Sequence, residues 1–337
     1  MTRLITYREA DYIISSDPDA YNLPYQDTVA EHKKILLLTR SVLDEITQRV
    51  IDDYNKYKYS FRVLYPNITT TNDNGIASLL TLRNYTGFNK IGFLYEYIIN
   101  LNKAVERFEQ YLPEVYGFDI VYNVKCPLRN IDFTSYFAAA EAAGVEILYP
   151  LITGDNGIAL VQEWHDRESP FVLWGVVPAA QELSFWDLTD GKCEHLGIVS
   201  VPVTTGYPLT SETTPFRNAY IDRWGEVPAP ISAANYDAVR FILFDAIERA
   251  GTTETDAVVT ALEDTDVETS MARRFAFTSD HDVMVGEAGW GNVEEDYMLL
   301  LFFQWQADGK MVPVYPSGIM EEAGATYTYP DWPGPWD

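Results

Sequence analysis

Residues 34–39 read Lys34-Ile-Leu-Leu-Leu-Thr39, and this short stretch decides the fold class. An unbroken apolar run with no polar alternation belongs to a strand buried on both faces of a parallel sheet. The reading extends outward from it. Upstream, residues 11–15 (DYIIS) form a β-branched run ending in a Ser-Asp-Pro turn signal, and a helical stretch follows over residues 19–32. Downstream, strands over residues 59–64, 90–94, 119–124, 146–150 and 171–175 alternate with helices over 76–86, 102–112, 133–143 and 158–166. That alternation predicts a doubly wound α/β architecture with right-handed crossovers and mostly parallel sheets. Ligands in such sheets bind at the carboxyl ends of the strands, where the loops converge.

The rhythm breaks at residues 201–211 (VPVTTGYPLTS), a stretch rich in Pro, Gly and Thr that reads as a connection between lobes. Helices follow over 215–224, 233–250 and 255–262, with Gly251 as a C-cap. Residues 297–306 are an apolar strand and 307–310 a hairpin-type turn. The tail YTYPDWPGPWD favours an extended arm laid on a surface.

Composition narrows the partners. The chain has 337 residues, enough for two domains or lobes, and 47% hydrophobic content, which excludes disorder as the main state. With 24 basic and 50 acidic side chains the net charge is −26, so nucleic acid is a poor partner. That acidity reads either as a solvated surface or as a cation-attracting groove. The longest apolar runs, such as residues 298–303, fall far short of the roughly 20 residues of a membrane span. The opening MTRLITYREA has no signal-peptide core or cleavage site. Cys126 and Cys193 match no metal spacing; they are unpaired buried thiols or, in an oxidising compartment, one disulfide.

Catalytic signatures are missing: there is no GxSxG, Walker loop, HExxH or GxGxxG. No catalytic residue, metal site or cofactor is therefore expected. His32, His165, His195 and His281 stand at no ligand spacing, and His281-Asp282 reads as a turn rather than a dyad. Binding candidates come from the strand ends. Ser15-Ser16 and Thr39-Arg40-Ser41 offer hydroxyls, backbone N–H groups and a guanidinium suited to an anion such as a carboxylate, or else serve as helix caps. Thr153, Asp155 and Asn156 lie in a polar loop after a strand, either facing a ligand or forming a capped turn. Tyr95, Tyr97, Trp174 and Trp186 fall at strand ends, as packing residues or as cleft walls.

Several segments resemble one family. Ala234-Asn-Tyr-Asp-Ala-Val with Ala246-Ile-Glu-Arg-Ala-Gly, the strand and turn Phe302-Phe-Gln-Trp-Gln-Ala-Asp-Gly, Asp44-Glu-Ile-Thr-Gln-Arg, and Pro215-Phe with Tyr220-Ile-Asp-Arg-Trp-Gly are similar to type I periplasmic solute-binding proteins. The nearest group is the branched-chain amino acid and amide binders of ABC importers, with the likeness running from about residue 10 to 315. The resemblance implies two α/β lobes joined by crossovers, with a ligand held between them. Lobe 1 is then residues 1–72 and 205–292, lobe 2 residues 73–204 and 293–315, and 316–337 the arm. Ser15 falls where the family places a serine on the ligand carboxylate, and Thr39 to Ser41 where it supplies N–H and hydroxyl donors.

Two departures stand out. The loop after Trp174 lacks the family's acidic residue and runs through Gln181 to Glu182, and the loop at Thr153 lacks its tyrosine. Asp155 replaces the missing charge, or the ligand is an amide or carboxylate without an ammonium. The family also has two βα units and a secretion signal before the first strand seen here, so an incomplete first lobe is expected.

The implied function is an extracytoplasmic receptor, not an enzyme, for a small polar ligand. Its partner is an ABC transporter permease, and its place is extracellular, periplasmic or anchored at the outer membrane face. The alternatives are a ligand-sensing domain of a receptor or regulator and, third, an α/β enzyme.

Overall fold

The computed structural model describes residues 1–154, 156–286 and 297–336. Among the described residues there are twelve strands, most of them separated by helices: β1 (Tyr12–Ser15), β2 (Ile35–Leu38), β3 (Ser60–Arg62), β4 (Lys90–Glu96), β5 (Asp119–Cys126), β6 (Ile147–Leu151), β7 (Val172–Gly175), β8 (Gly197–Ser200), β9 (Asp266–Val267), β10 (Phe275–Ala276), β11 (Leu301–Gln306) and β12 (Lys310–Tyr315). The chain divides into two compact units, one mainly Met1–Thr71 and Pro208–Gly286, the other mainly Asn72–Tyr207 and Leu300–Asp337.

In the first unit, β1, β2 and β3 form a parallel sheet in that order. All four residues of β2 are buried, as an apolar strand covered on both faces requires. Ile13, Leu36 and Leu38 pack with Val29 and Ile46 from the flanking helices. The helix Asp19–His32 starts with an acidic residue in its first turn, which suits the positive end of its dipole. It stops at Lys33 in the left-handed region, whose N–H bonds the Ala30 carbonyl.

The side chain of Arg62 on β3 is fully buried, and desolvation pushes its pKa down. It is held by the Leu43 carbonyl at 2.6 Å and the Asp282 carboxylate at 3.4 Å. Asp282 also accepts from the backbone N–H and side-chain amide of Asn67. Asn67 in turn caps the next helix by accepting from the Thr70 N–H at 2.8 Å. This cap explains why the helix runs Ile68–Thr86 and not from residue 76: the Thr-rich start lacks helical periodicity but has a cap.

The expected helix over 233–250 starts earlier and has three parts. Pro230–Asp237 and Phe244–Ala250 are α-helical, while Ala238–Leu243 is a π turn; Gly251 ends the run in the left-handed region. Asp237, at the start of the π turn, is buried, and its Oδ1 accepts from the Ser270 N–H at 3.2 Å. Burial raises its pKa to about 7 despite that bond.

The second unit holds a seven-stranded sheet in the order β12-β11-β8-β7-β6-β4-β5. β5, β4, β6, β7 and β8 are parallel, and β11 pairs antiparallel with both β8 and β12. Phe93, Phe108 and Tyr149 stack and tilt against one another at the centre of its core. Trp174 on β7 pairs with Gly197 on β8, stacks on Phe302 at 4.8 Å and donates its indole N–H to the Ser78 hydroxyl at 3.0 Å.

Two sequence expectations change here. Residues 202–205, read as part of an irregular connection, form one helical turn, Pro202–Thr205, because Pro at its start presets the backbone. The tail read as an extended arm begins with the helix Ser317–Glu322, and its remainder is pinned down. Gln304 donates to the Thr328 carbonyl and accepts from the Thr328 N–H, and Trp332 donates to the Ser169 carbonyl. Cys126 and Cys193 are free and buried, and desolvation raises their thiols to about 11 and about 12.

A Cβ on Gly197 would lie 2.3 Å from the Trp174 ring, which Phe302 and Ser78 hold in place. Gly197→Ala is expected to cost about 1–3 kcal/mol through overpacking, read as a lower urea midpoint at unchanged slope. Asp237 gives a pH signature. Its folded pKa of about 7 lies above its unfolded value of 3.8, so the folded state binds the extra proton. Its contribution is present at low pH and is lost as pH rises between those values. The stability difference between Asp237→Asn and the native chain should therefore grow in the variant's favour from pH 4 to pH 7. A difference that stays flat in pH-dependent denaturation would rule this out.

Candidate ligand-binding site

The carboxyl ends of β1 and β2 bring Ser15 and Thr39 together. Their strands pair in register, with Ser15 opposite Leu38, and the Thr39 N–H donates to the Ser15 carbonyl at 3.0 Å. The Thr39 hydroxyl donates to Asn235 Oδ1 at 2.7 Å. The Ser15 hydroxyl accepts from the Asp17 N–H at 3.3 Å, which tightens the turn into the next helix. Both side chains are buried, while Ser16 is half-buried and Arg40 exposed. The loop carrying Arg40 and Ser41 is fixed from the first turns of the helix Asp19–His32. Asp19 accepts from the Val42 N–H at 3.2 Å, and the Asn22 amide donates to the Arg40 carbonyl at 3.3 Å. The Ser41 hydroxyl is buried with no partner among the described residues.

In the second unit the strand ends of β4 and β6 meet at Glu96, a fully buried carboxylate. It accepts from the Thr153 N–H at 2.7 Å, from the Thr153 hydroxyl, and from the Asn156 amide at 2.7 Å. Several donors aimed at one buried charge are what makes its burial tolerable. Asp155, in the same loop, lies outside the described residues. Tyr97, the next residue after Glu96, is 62% exposed.

Three aromatic and polar candidates are placed differently from a cleft wall. Trp174 is fully buried between Phe302 and Ser78, and Tyr95 is a core residue at 5% exposure. Both are inside because the apolar surface that marked them is consumed by the core beneath their strands. Gln181 donates to the Val199 carbonyl at 2.9 Å and so ties a loop to β8. His281 and Asp282 face different partners. His281 contacts the Ser60 carbonyl and Glu263, while Asp282 faces Arg62. A left-handed backbone at His281 makes this the turn that was expected.

Sequence reasoning missed Asn235 and Glu96. Asn235 stands inside the family-like segment starting at Ala234, and Glu96 ends the strand between the nominated Tyr95 and Tyr97, so a signal existed for both. Among the described residues no group of His, Cys, Asp or Glu could hold a metal ion, and no helix is long and apolar enough to cross a membrane.

An α/β chain of two units, each gathering hydroxyl, amide and carboxylate groups at the carboxyl ends of parallel strands, has the build of a ligand-binding protein. Its sequence matches the periplasmic binding protein family over residues 1–297, and the chain belongs to that family. Known structures agree on the fold. A structure described as a branched-chain amino acid ABC transporter from Silicibacter pomeroyi is 16% identical, covers 98% of this chain and 84% of its own, and superposes with a TM-score of 0.82. The periplasmic ligand-binding protein of a branched-chain amino acid ABC transporter from Burkholderia xenovorans is 15% identical over 97% and 83%, with a TM-score of 0.71. An ABC transporter solute-binding protein from R. palustris in complex with benzoate is 14% identical over 93% and 79%, with a TM-score of 0.68. No curated protein matches the chain.

Replacing Glu96 by Ala would orphan the Asn156 amide and the Thr153 N–H. A loss of about 1–3 kcal/mol is expected, with Glu96→Gln intermediate, measured by chemical denaturation.

Proposed function

We propose that this protein is the extracytoplasmic solute receptor of an ABC importer, taking a small polar ligand such as a branched-chain amino acid, an amide or a carboxylate. The observation that carries the reading is the side-by-side placement of Ser15 and Thr39 at the ends of β1 and β2. The Ser15 hydroxyl accepts from Asp17 and keeps its own proton to donate to a ligand carboxylate. Thr39 is oriented by Asn235, and Arg40 is exposed beside them to add a charge-assisted bond. Ser16 and Ser41 complete the donor set of this loop pair.

In the second unit, Thr153 and Asn156 are aligned by Glu96, with Tyr97 exposed next to it. Glu96 itself is fully buried and engaged by Thr153 and Asn156, so its part is to hold those two side chains at the strand end. Family membership and the similar structures, among them one of a branched-chain amino acid transporter and one of a solute-binding protein in complex with benzoate, support this ligand range. Small-ligand binding coupled to a permease would follow from differential affinity for two conformations of the receptor.

Calorimetry against leucine, isoleucine, valine, their amides, short aliphatic carboxylates and benzoate tests the reading. A binder is expected in that panel, and Ser15→Ala or Thr39→Val should each weaken it about tenfold, near 1.4 kcal/mol. No heat and no change in melting temperature with any member would reject this ligand class.

A further inference from the structure

The outward face of two helices in the first unit is aromatic where solvent exposure calls for polar side chains. On the helix Thr213–Trp224, the buried Phe216, the half-buried Tyr220 and the exposed Trp224 follow at i, i+4 and i+8, with ring centroids 6.0 and 6.4 Å apart. Phe216 stacks on Tyr236 of the second helix at 4.5 Å, and Tyr236 meets Phe241 edge to face at 5.7 Å. In a regular α-helix, residues five apart point about 140° away from each other. Phe241 lies inside the π turn Ala238–Leu243, where i to i+5 bonding changes the helical phase, and there it meets the Tyr236 ring. The irregularity thus extends a continuous aromatic ladder. Further along the second helix, Tyr236, Arg240, Phe244 and Glu248 form an exposed stripe at a spacing of four. Trp224 is 60% exposed, Phe244 52% and Tyr236 38%.

The charges around these rings are balanced. Arg223 sits over Trp224 and Arg240 over Phe241, with centroid distances of 5.0 and 5.5 Å. Neither is ion-paired among the described residues. Besides the buried Asp237 and the ion pair Arg249–Asp245, the two helices and their connection carry Arg217, Arg223 and Arg240 against Asp222, Glu226 and Glu248, in a chain whose net charge is −26. Two copies of so acidic a chain repel each other over most approaches, whereas this face meets itself with opposite charges available. Trp, Tyr, Phe and Arg together are also the composition of protein contact centres. Other occupants fit less well. Phe216 and Tyr236 are stacked on each other at 26° and the other adjacent rings are tilted by 50°, 56° and 80°, so the exposed rings offer no flat platform for a sugar chain. An anionic lipid surface is opposed by the net charge.

We propose that this face is the contact of a reversible, two-fold symmetric dimer of this chain. Trp224, Tyr236 and Phe244 pack at its centre, and the arginines of one copy face the carboxylates of the other at the rim.

Sedimentation equilibrium of the full chain over roughly 5–500 µM tests this. A dimer with a dissociation constant in the micromolar range is expected, weakened by high salt. Trp224→Ala with Phe244→Ala should weaken it at least tenfold. An acidic variant (Arg223→Glu with Arg240→Glu) and a basic one (Glu226→Arg with Glu248→Arg) should each fail to self-associate but pair when mixed. All substitutions are on exposed positions, and circular dichroism checks that each variant is folded. A native chain that stays monomeric throughout, or a dimer indifferent to both sets of substitutions, overturns the proposal.

Discussion

Parallel strands impose the constraint on which the rest of this structure depends. Each strand of a βαβ unit must leave its sheet from the same edge, so that edge collects every strand-to-helix loop. In the first unit this rule brings Ser15 to Thr39, residues separated in sequence by a full helix. In the second it brings Glu96 to Thr153 and Asn156. The polar chemistry of the protein is a consequence of strand direction, not of local sequence clustering.

Buried polar groups then decide how rigid those edges are. Glu96, Arg62 and Asp237 are each removed from water, and each is held differently. Glu96 is surrounded by donors, Arg62 has one carbonyl and one carboxylate, and Asp237 gains too little from Ser270 to offset its desolvation. A buried charge with incomplete partners destabilises the fold. The apolar cores supply the stability that tolerates this, through close contacts such as Trp174 over Gly197.

Much of the fold was readable because its strands are apolar and short. The run KILLLT announced β2, and the helix Asp19–His32 matched its expected limits. The failures have identifiable causes. The start of Ile68–Thr86 depends on a cap from Asn67, which periodicity does not register. The π turn Ala238–Leu243 shifts the helical phase only locally. Of the candidate site, Ser15, Thr39, Thr153 and Asn156 were legible from their positions after strands. Trp174 and Tyr95 shared that position but face inward, a choice set by the packing of the sheet rather than by residue type.

By itself, the sequence determined the alternation of strands and helices, the acidic surface, the free thiols' lack of metal spacing and the family. These follow from periodicity, composition and local motifs, which act over a few residues. Only the tertiary structure decided that Asn235 orients Thr39, that Glu96 anchors Thr153 and Asn156, that Asp282 faces Arg62, and that Phe241 joins the ladder from Trp224. Each of these joins residues brought together by strand pairing, by a loop return or by a change of helical pitch. No local pattern encodes such a meeting; the three-dimensional packing selects it.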